Sequence, residues 1–130
     1  SIGDLLIKPT KIYTRSILEV LKTEKINAMA HITGGGLTEN IPRVIPHEFK
    51  AVISKNCWKI PKLFNWIKSE AHLDDEELFK TFNCGIGMVI IVNKELKDRV
   101  MISLRNSKEN AFEIGKITKK IIDEPQIQII

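Results

Sequence analysis

The chain has 130 residues, of which 43% are hydrophobic and 28% charged, a composition typical of one globular domain that excludes a disordered polypeptide. Its 20 basic and 16 acidic residues give a net charge of +4 and are spread along the chain without a block of five like charges. Because aromatic residues make up only 6% and no basic stripe is present, we expect no nucleic-acid partner.

The apolar segments are short. The longest uninterrupted one, residues 85–92, is far shorter than a bilayer requires, and the N-terminus lacks the basic-then-apolar pattern of a signal peptide. We therefore expect a cytoplasmic protein without a membrane partner. Cys57 and Cys84 stand beside large apolar residues without Cys-x-x-Cys spacing, which predicts reduced core thiols and no metal site. A chain that begins with Ser1 rather than Met is compatible with a piece of a longer polypeptide.

The first predicted helix follows Pro9. This proline keeps the preceding residue extended, and Thr10 is placed to cap a helix. The apolar residues that recur in it at helical spacing are Ile17, Leu18 and Leu21. Tyr13, early in this helix, is able to hold a ligand with its hydroxyl or to close the edge of the core, and the sequence leaves both roles open.

A short strand is predicted next, because residues 26–31 alternate between apolar and mixed positions. His31 stands at its end, where ligand-contacting residues gather in α/β sheets. An imidazole is able to donate or accept a proton, so His31 is a candidate catalytic residue. A structural histidine held by a backbone carbonyl fits the same position.

Three consecutive glycines, Gly34, Gly35 and Gly36, follow Thr33 directly. Such a segment is costly to order, so a compact domain keeps it where the backbone needs a positive φ or must lie against a neighbour. Unpaired N–H groups that open into a helix form a site for an anion such as a phosphate, and Arg43 adds a permanent positive charge nearby. No Gly-Lys-Ser/Thr follows, so the segment is not a P-loop. An anion-binding loop and a tight strand-to-helix turn both fit it.

Further elements follow along the chain. We predict strands at residues 49–54, 88–92, 111–117 and 127–129, and helices that begin at Pro61, after Asp74 and near Glu95 with Asn93 as cap. Trp58 and Trp66 are predicted to brace the helix that starts at Pro61. Asp74 and Glu77 form a capping box, so we interpret these acids as caps rather than as catalysts.

Residues 88–92 are apolar without alternation, which predicts a strand buried on both faces at the centre of the sheet. Just before them, Gly85 and Gly87 stand two residues apart. On a strand this spacing removes side chains from one face, so that a backbone or a ligand can come close. Tight helix packing explains the same spacing.

Three segments of the chain carry a family resemblance: residues 9–13 (PTKIY), 31–43 (HITGGGLTENIPR) and 81–88 (TFNCGIGM). In residue identity, order and spacing they closely resemble the C-terminal domain of AIR synthetase, the phosphoribosylformylglycinamidine cyclo-ligase. The likeness extends to about residue 117. It implies a single domain over residues 1–130, of α/β class and α+β sandwich type, with a mixed sheet covered by helices. Lys11 stands where many relatives have arginine, which keeps the charge but loses the bidentate fork.

The resemblance also implies an activity, ATP-dependent ring closure in purine biosynthesis. ATP activates the formyl amide oxygen of formylglycinamidine ribonucleotide, and the amidine nitrogen then closes the imidazole ring to give aminoimidazole ribonucleotide. An N-terminal domain absent here would carry most contacts to ATP and magnesium, the full-length enzyme would be a homodimer, and the C-terminal domain alone would be inactive. The alternatives are a stand-alone module that binds a phosphorylated ligand and the equivalent domain of another ATP-dependent enzyme of the superfamily.

The candidate site gathers polar and glycine residues of the three segments. His31 is the catalytic candidate, and no residue is assigned to a metal. The phosphate- and substrate-binding candidates are Thr10, Tyr13, Thr33, Gly34, Gly35, Gly36, Asn40, Arg43, Asn83, Gly85 and Gly87. We expect Thr33, Gly34, Gly35 and Gly36 to form a backbone anion cradle, with His31, Asn40 and Arg43 around it, that faces a cleft shared with the N-terminal domain. Asn83, Gly85 and Gly87 should line the same cleft from the neighbouring strand.

Overall fold

Helices and short strands alternate along this computed structural model, which describes residues 2–130; Ser1, the first residue of the predicted domain, lies outside them. The helices are α1 (Ile2–Leu6), α2 (Thr14–Thr23), α3 (Gly36–Asn40), α4 (Lys62–Glu70), α5 (Asp75–Thr81) and α6 (Lys97–Asn106). The strands are β1 (Ala28–His31), β2 (Phe49–Ile53), β3 (Met88–Ile91), β4 (Gly115–Lys119) and β5 (Ile127–Ile129). Short 3-10 turns lie at Pro42–Val44, Lys55–Cys57 and Lys94–Leu96. The predicted α+β fold class with a mixed sheet is confirmed.

The strands form two sheets. β1 and β3 pair antiparallel, from Ala28 opposite Ile91 to His31 opposite Met88. In the second sheet β2 lies at the centre, antiparallel to β4 and parallel to β5. The prediction that residues 88–92 form a central strand buried on both faces is wrong, because within residues 2–130 β3 pairs only with β1 and all its residues are half-buried. An apolar segment indicates that its side chains are removed from water, but it does not indicate which strand or helix covers them.

The β1–β3 ribbon turns one face to the core. Ala30 is buried, and Val89 and Ile91 pack against the core cluster. Because successive side chains of a strand alternate between its two faces, the opposite face carries His31 and its cross-strand partner Met88. His31 is accordingly exposed.

The centre of the core lies between α3 and α5. Its largest fully buried side chains are Leu37, Ile41, Leu78, Phe79 and Cys84. The ring of Trp58 packs edge-on against that of Phe79, with 6.2 Å between centroids, and its indole N–H donates to the Cys84 carbonyl at 3.0 Å. Trp58 therefore braces α5 rather than α4, and Trp66 is 42% exposed, so the predicted bracing of the helix after Pro61 is wrong.

The two cysteines differ. Cys84 is fully buried, and burial raises the pKa of its thiol to about 12, so the thiol stays protonated at neutral pH. Cys57 is exposed. Both are free thiols, but the prediction of a core position holds for Cys84 and is wrong for Cys57, because Cys57 ends a surface 3-10 turn.

Helix ends follow the predicted caps only in part. The Asp74 cap of α5 is confirmed, since its Oδ1 accepts from the Glu77 N–H at 2.8 Å. The Thr10 cap is wrong: α2 begins only at Thr14, and no side-chain hydrogen bond caps it. Asn93 precedes a 3-10 turn rather than α6, and its Oδ1 accepts from Asn27, so it is not free to cap.

The predicted strand positions agree with the structure more closely than the predicted helix caps do. β1, β2, β3 and β5 lie within the predicted ranges, whereas β4 begins at Gly115 rather than at residue 111.

Among residues 2–130, no helix combines the length and the hydropathy that crossing a membrane requires.

Gly36 offers a test of how α3 is packed. Its φ is +55°, and a Cβ there would overlap the backbone carbonyls of Phe79 and Phe82. We expect Gly36→Ala to lower the free energy of unfolding by about 2 kcal/mol or more, because strain at positive φ and overlap with backbone act together. Gly34→Ala is the matched control: nothing lies within 4 Å of its Cβ position, and we expect a change below about 0.5 kcal/mol. Urea unfolding of both variants measures the difference, and equal stabilities would contradict this packing.

Candidate functional site

The glycine-rich loop joins the end of β1 to α3. After His31, the Ile32 N–H donates to the Gly87 carbonyl at 2.9 Å, and the chain then turns, with the Gly36 N–H donating to the Thr33 carbonyl at 3.0 Å. Gly35 has a φ of +92°, which L side chains rarely adopt. The predicted order of strand, glycines and helix is therefore present, although α3 has only five residues.

The Asn40 side chain holds this loop together. Its Nδ2 donates to the carbonyls of Gly36 at 2.8 Å, Gly34 at 3.1 Å and Thr33 at 3.4 Å, and the residue is only 6% exposed. An amide nitrogen has two hydrogens, so it shares them among these acceptors. Asn40 was proposed as a phosphate or substrate ligand, and the structure gives its amide nitrogen a positioning role inside the loop.

The loop leaves backbone donors free. Within residues 2–130, the N–H groups of Thr33, Gly34 and Gly35 donate to no protein acceptor. Because Asn40 engages the loop's carbonyls on one side, these N–H groups are the polar groups that remain for a ligand. A five-residue helix aligns few peptide dipoles, so the predicted anion cradle depends on these three N–H groups rather than on a helix dipole.

Arg43 and Glu39 stand at the border of the loop with opposite charges. Arg43 Nη1 donates to the Asn40 Oδ1 at 3.3 Å, and its Nη2 lies 3.5 Å from Glu39 Oε2. The same Glu39 oxygen lies beside Gly35, 2.5 Å from where a Cβ would stand. Both charged side chains are largely exposed, so their ion pair is weak and its geometry is adjustable. A bound anion would attract the guanidinium and repel the carboxylate.

The second predicted segment, residues 83–87, lies against the glycine-rich loop. The Gly87 carbonyl accepts from Ile32, and the Asn83 Oδ1 accepts from the Gly85 N–H at 3.0 Å. The prediction that Gly85 and Gly87 clear one face of a strand is wrong, because both precede β3. Gly85, at a φ of +94°, faces the Pro61 ring, whereas Gly87 faces the Tyr13 hydroxyl.

Tyr13 brings the first segment to the other two. Its ring stands edge-on to the His31 ring, with 6.1 Å between centroids, and a Cβ at Gly87 would overlap its hydroxyl. Burial raises the pKa of Tyr13 above its ordinary value, a shift that nearby Lys11 opposes and Glu109 reinforces. The hydroxyl is therefore protonated at neutral pH and able to donate. Thr10 is exposed, and among the described residues no hydrogen bond joins it to the loops.

Sequence reasoning missed Glu109 and Ser16. Both oxygens of the Glu109 carboxylate accept a hydrogen bond, Oε2 from the Lys11 Nζ and Oε1 from the Ser16 Oγ at 2.6 Å. Burial works to raise the pKa of Glu109, but the hydrogen bonds from Lys11 and Ser16 outweigh it and hold that pKa below its ordinary value. The available signal was that Glu109 and Asn110 fall inside the family resemblance.

A groove lies away from the candidate site. It has a volume of about 530 Å³, runs between α6 and residues 111–113, is lined also by Cys57, and contains none of the predicted site residues. It is open to solvent and lined by the Lys97–Glu113 ion pair. The candidate site is formed by the two loops and Tyr13 and is separate from this groove.

Asn40 provides a test of the loop's construction. We expect Asn40→Ala to lower the free energy of unfolding by about 2 kcal/mol, because the buried Gly36 carbonyl and the partly buried carbonyls of Gly34 and Thr33 lose their side-chain donor. Asn27→Ala removes another asparagine donor, to Asn93 at 2.8 Å on the exposed surface, and we expect less than about 1 kcal/mol. Chemical denaturation compares the two; an Asn40 variant no less stable than the Asn27 variant would contradict the positioning role.

Comparison with known proteins shows the family to which the chain belongs. The family model described as "AIR synthase related protein, C-terminal domain" matches residues 1–126. The phosphoribosylformylglycinamidine cyclo-ligase of Geotalea uraniireducens is 48% identical over 119 residues, covering 92% of this chain and 34% of that protein. The trifunctional purine biosynthetic protein adenosine-3 of Homo sapiens is 42% identical over 129 residues, 99% of this chain and 13% of that protein, and the Gallus gallus protein of the same name is 50% identical over 117 residues. The chain thus spans about a third or less of the length of these relatives. It belongs to the family of AIR synthase-related C-terminal domains.

Proposed function

We propose that this chain is the C-terminal domain of an ATP-dependent cyclo-ligase that converts formylglycinamidine ribonucleotide into aminoimidazole ribonucleotide in cytoplasmic purine biosynthesis. The observation that carries the proposal is the 48% identity to a phosphoribosylformylglycinamidine cyclo-ligase over 92% of the chain, which includes both loops of the candidate site. The relatives are longer, which supports an N-terminal partner domain, and we extend the proposal to a homodimer of the two-domain protein.

Phosphate binding is the part of this chemistry that suits the loop. The reaction requires a site that holds phosphates and stabilises charge on a transferred phosphoryl group. The free N–H groups of Thr33, Gly34 and Gly35 and the exposed guanidinium of Arg43 are the donors that such a group needs. We therefore assign these residues to a phosphate of the nucleotide or of the ribonucleotide substrate.

His31 is assigned to proton transfer. Closing the ring requires the attacking amidine nitrogen to lose a proton, and an exposed imidazole beside the anion loop is able to accept one. The edge-on ring of Tyr13 restricts how the imidazole turns. Asn83, Gly85 and Gly87 complete the surface by shaping the neighbouring loop, and Asn83 does so through its bond to Gly85.

Magnesium does not suit the described part of this chain. No group of three or more His, Cys, Asp or Glu side chains comes together there, whereas Mg²⁺ prefers oxygen ligands that include carboxylates. We therefore propose that magnesium, and with it most of the contacts to ATP, belongs to the N-terminal domain.

Arg43 provides the test of the anion loop. In the full-length enzyme we expect Arg43→Ala to raise the KM for the nucleotide or the ribonucleotide about tenfold, since it removes one charge-assisted contact from a partly exposed site. Glu39→Gln should act in the opposite direction, lowering the same KM about threefold at low ionic strength, because it removes a like charge. Gly35→Ala is less informative, since its positive φ makes folding suffer as well.

Arg99→Ala is the matched control. Arg99 is 65% exposed against 64% for Arg43 and pairs with Glu24 at 2.8 Å, away from both loops. Steady-state kinetics and melting temperatures are measured for all three variants. If Arg43→Ala has kinetics indistinguishable from those of Arg99→Ala, the loop does not bind an anion of the reaction.

The isolated chain provides a separate test of the proposed domain division. We expect the 130-residue chain alone to bind a phosphorylated ligand weakly and to show no ATP-dependent ring closure, while the full-length protein turns over. Product formation is followed with formylglycinamidine ribonucleotide and ATP. Turnover by the chain alone would contradict the division, and a full-length protein that binds without turnover would favour a binding module.

A further inference from the structure

Glu109 occupies an unusual place in the molecule. Its side chain is 13% exposed, and it belongs to the segment between α6 and β4, far in sequence from any loop of the candidate site. Its two carboxylate oxygens are engaged by the Lys11 ammonium and by the Ser16 hydroxyl. Ser16 is itself only 7% exposed and lies in the first turn of α2. The carboxylate therefore ties the start of α2 and the residues before it to one point.

Tyr13 lies between the two groups that Glu109 holds. The Lys11 Nζ stands 5.6 Å from the centroid of the Tyr13 ring, within the range of a cation–π interaction, and Ser16 follows one helical turn later. Because α2 has no side-chain cap, these contacts hold its N-terminus in place instead. The direction of the Tyr13 side chain consequently depends on where Glu109 holds its neighbours.

The far end of Tyr13 reaches the catalytic candidate. The Gly87 position, which has no room for a Cβ, accommodates the hydroxyl, and the ring edge meets the His31 imidazole. His31 has few other constraints: it is exposed at the end of a two-stranded ribbon. Tyr13 is the aromatic neighbour that limits its orientation.

We propose that Glu109 is a positioning residue for His31, acting through Lys11 and Ser16 on Tyr13 and through the Tyr13 ring on the imidazole. Lys11 is then committed to Glu109 and does not serve as a phosphate contact. The catalytic consequence depends on the role proposed for His31 above, but the geometric statement does not. A Glu109 that merely joined two surface segments would leave the His31 ring unaffected when it is removed.

Glu113 provides the matched control. It lies on the same segment, four residues further on, and its carboxylate pairs with Lys97 at 2.8 Å, but this pair is exposed and is not among the ring and charge neighbours of Tyr13, which are His31, Lys11 and Glu109. Removing either acid breaks one ion pair with a lysine. Only Glu109 should affect His31.

The test uses the full-length protein with carbon-13 in its histidine rings. His31→Gln assigns the His31 ring resonance, and His47 and His72 act as internal references. We expect Glu109→Ala and Lys11→Met to shift the His31 resonance by more than any change at His47 or His72, and Glu113→Ala to leave it in place. In a Tyr13→Leu background, Glu109→Ala should cause no further shift, because the connecting ring is gone.

Kinetics separate position from catalysis. If His31 transfers a proton, Glu109→Ala should lower kcat about tenfold with little change in KM, since a misplaced catalytic group costs rate rather than binding. A shifted resonance with normal kcat supports the positioning by Glu109 and counts against the proposed role of His31. An unmoved His31 resonance in folded Glu109→Ala overturns the positioning proposal. Should that variant fail to fold, Lys11→Met, which changes a half-exposed side chain, decides in the same way.

Discussion

The hydrogen bond from the Ile32 N–H to the Gly87 carbonyl joins the two loops on which the candidate site is built. It continues the β1–β3 pairing by one step past the end of the strands, so the ribbon delivers both loops to the same place. The core lies directly beneath, because α3 follows the first loop and packs on α5 through Leu37 and Phe79. A change that displaces the core would therefore displace the two loops as well. The loops, in turn, cannot move without disturbing the β1–β3 pairing.

The polarity of the glycine-rich loop follows from one buried side chain. Asn40 supplies hydrogen-bond donors to the carbonyls, so the peptide units of the loop are oriented with oxygens inward and, for Thr33 to Gly35, N–H groups unpaired. Loops that bind anions commonly present such N–H groups. In the anion site that we propose, the asparagine would act by orienting the loop and would not touch the anion. This explains why a residue with the chemistry of a ligand is buried within the loop.

Much of the fold could be predicted from the sequence, because local patterns record local structure. The strand that ends at His31, the strand at 49–53 and the Asp74 cap follow from alternation and cap chemistry. The division into two sheets could not be predicted, because the apolar sequence of residues 88–91 does not indicate which strand they pair with. The contacts of Glu109 could not be predicted for a similar reason: its partners Lys11 and Ser16 are 98 and 93 residues away in the sequence, and only the folded chain brings the three together.

The contacts that locate the glycine-rich loop are made largely to backbone atoms: the carbonyls of Phe79, Phe82 and Gly87. A carbonyl oxygen is present whatever side chain its residue carries. The acceptors themselves therefore place no demand on the side chains at these three positions, but Phe79 and Gly87 are also held by the Trp58 ring and by the Tyr13 hydroxyl. On the glycine-rich loop the constraint falls on Gly36 itself, because the carbonyls of Phe79 and Phe82 leave no room for a Cβ there.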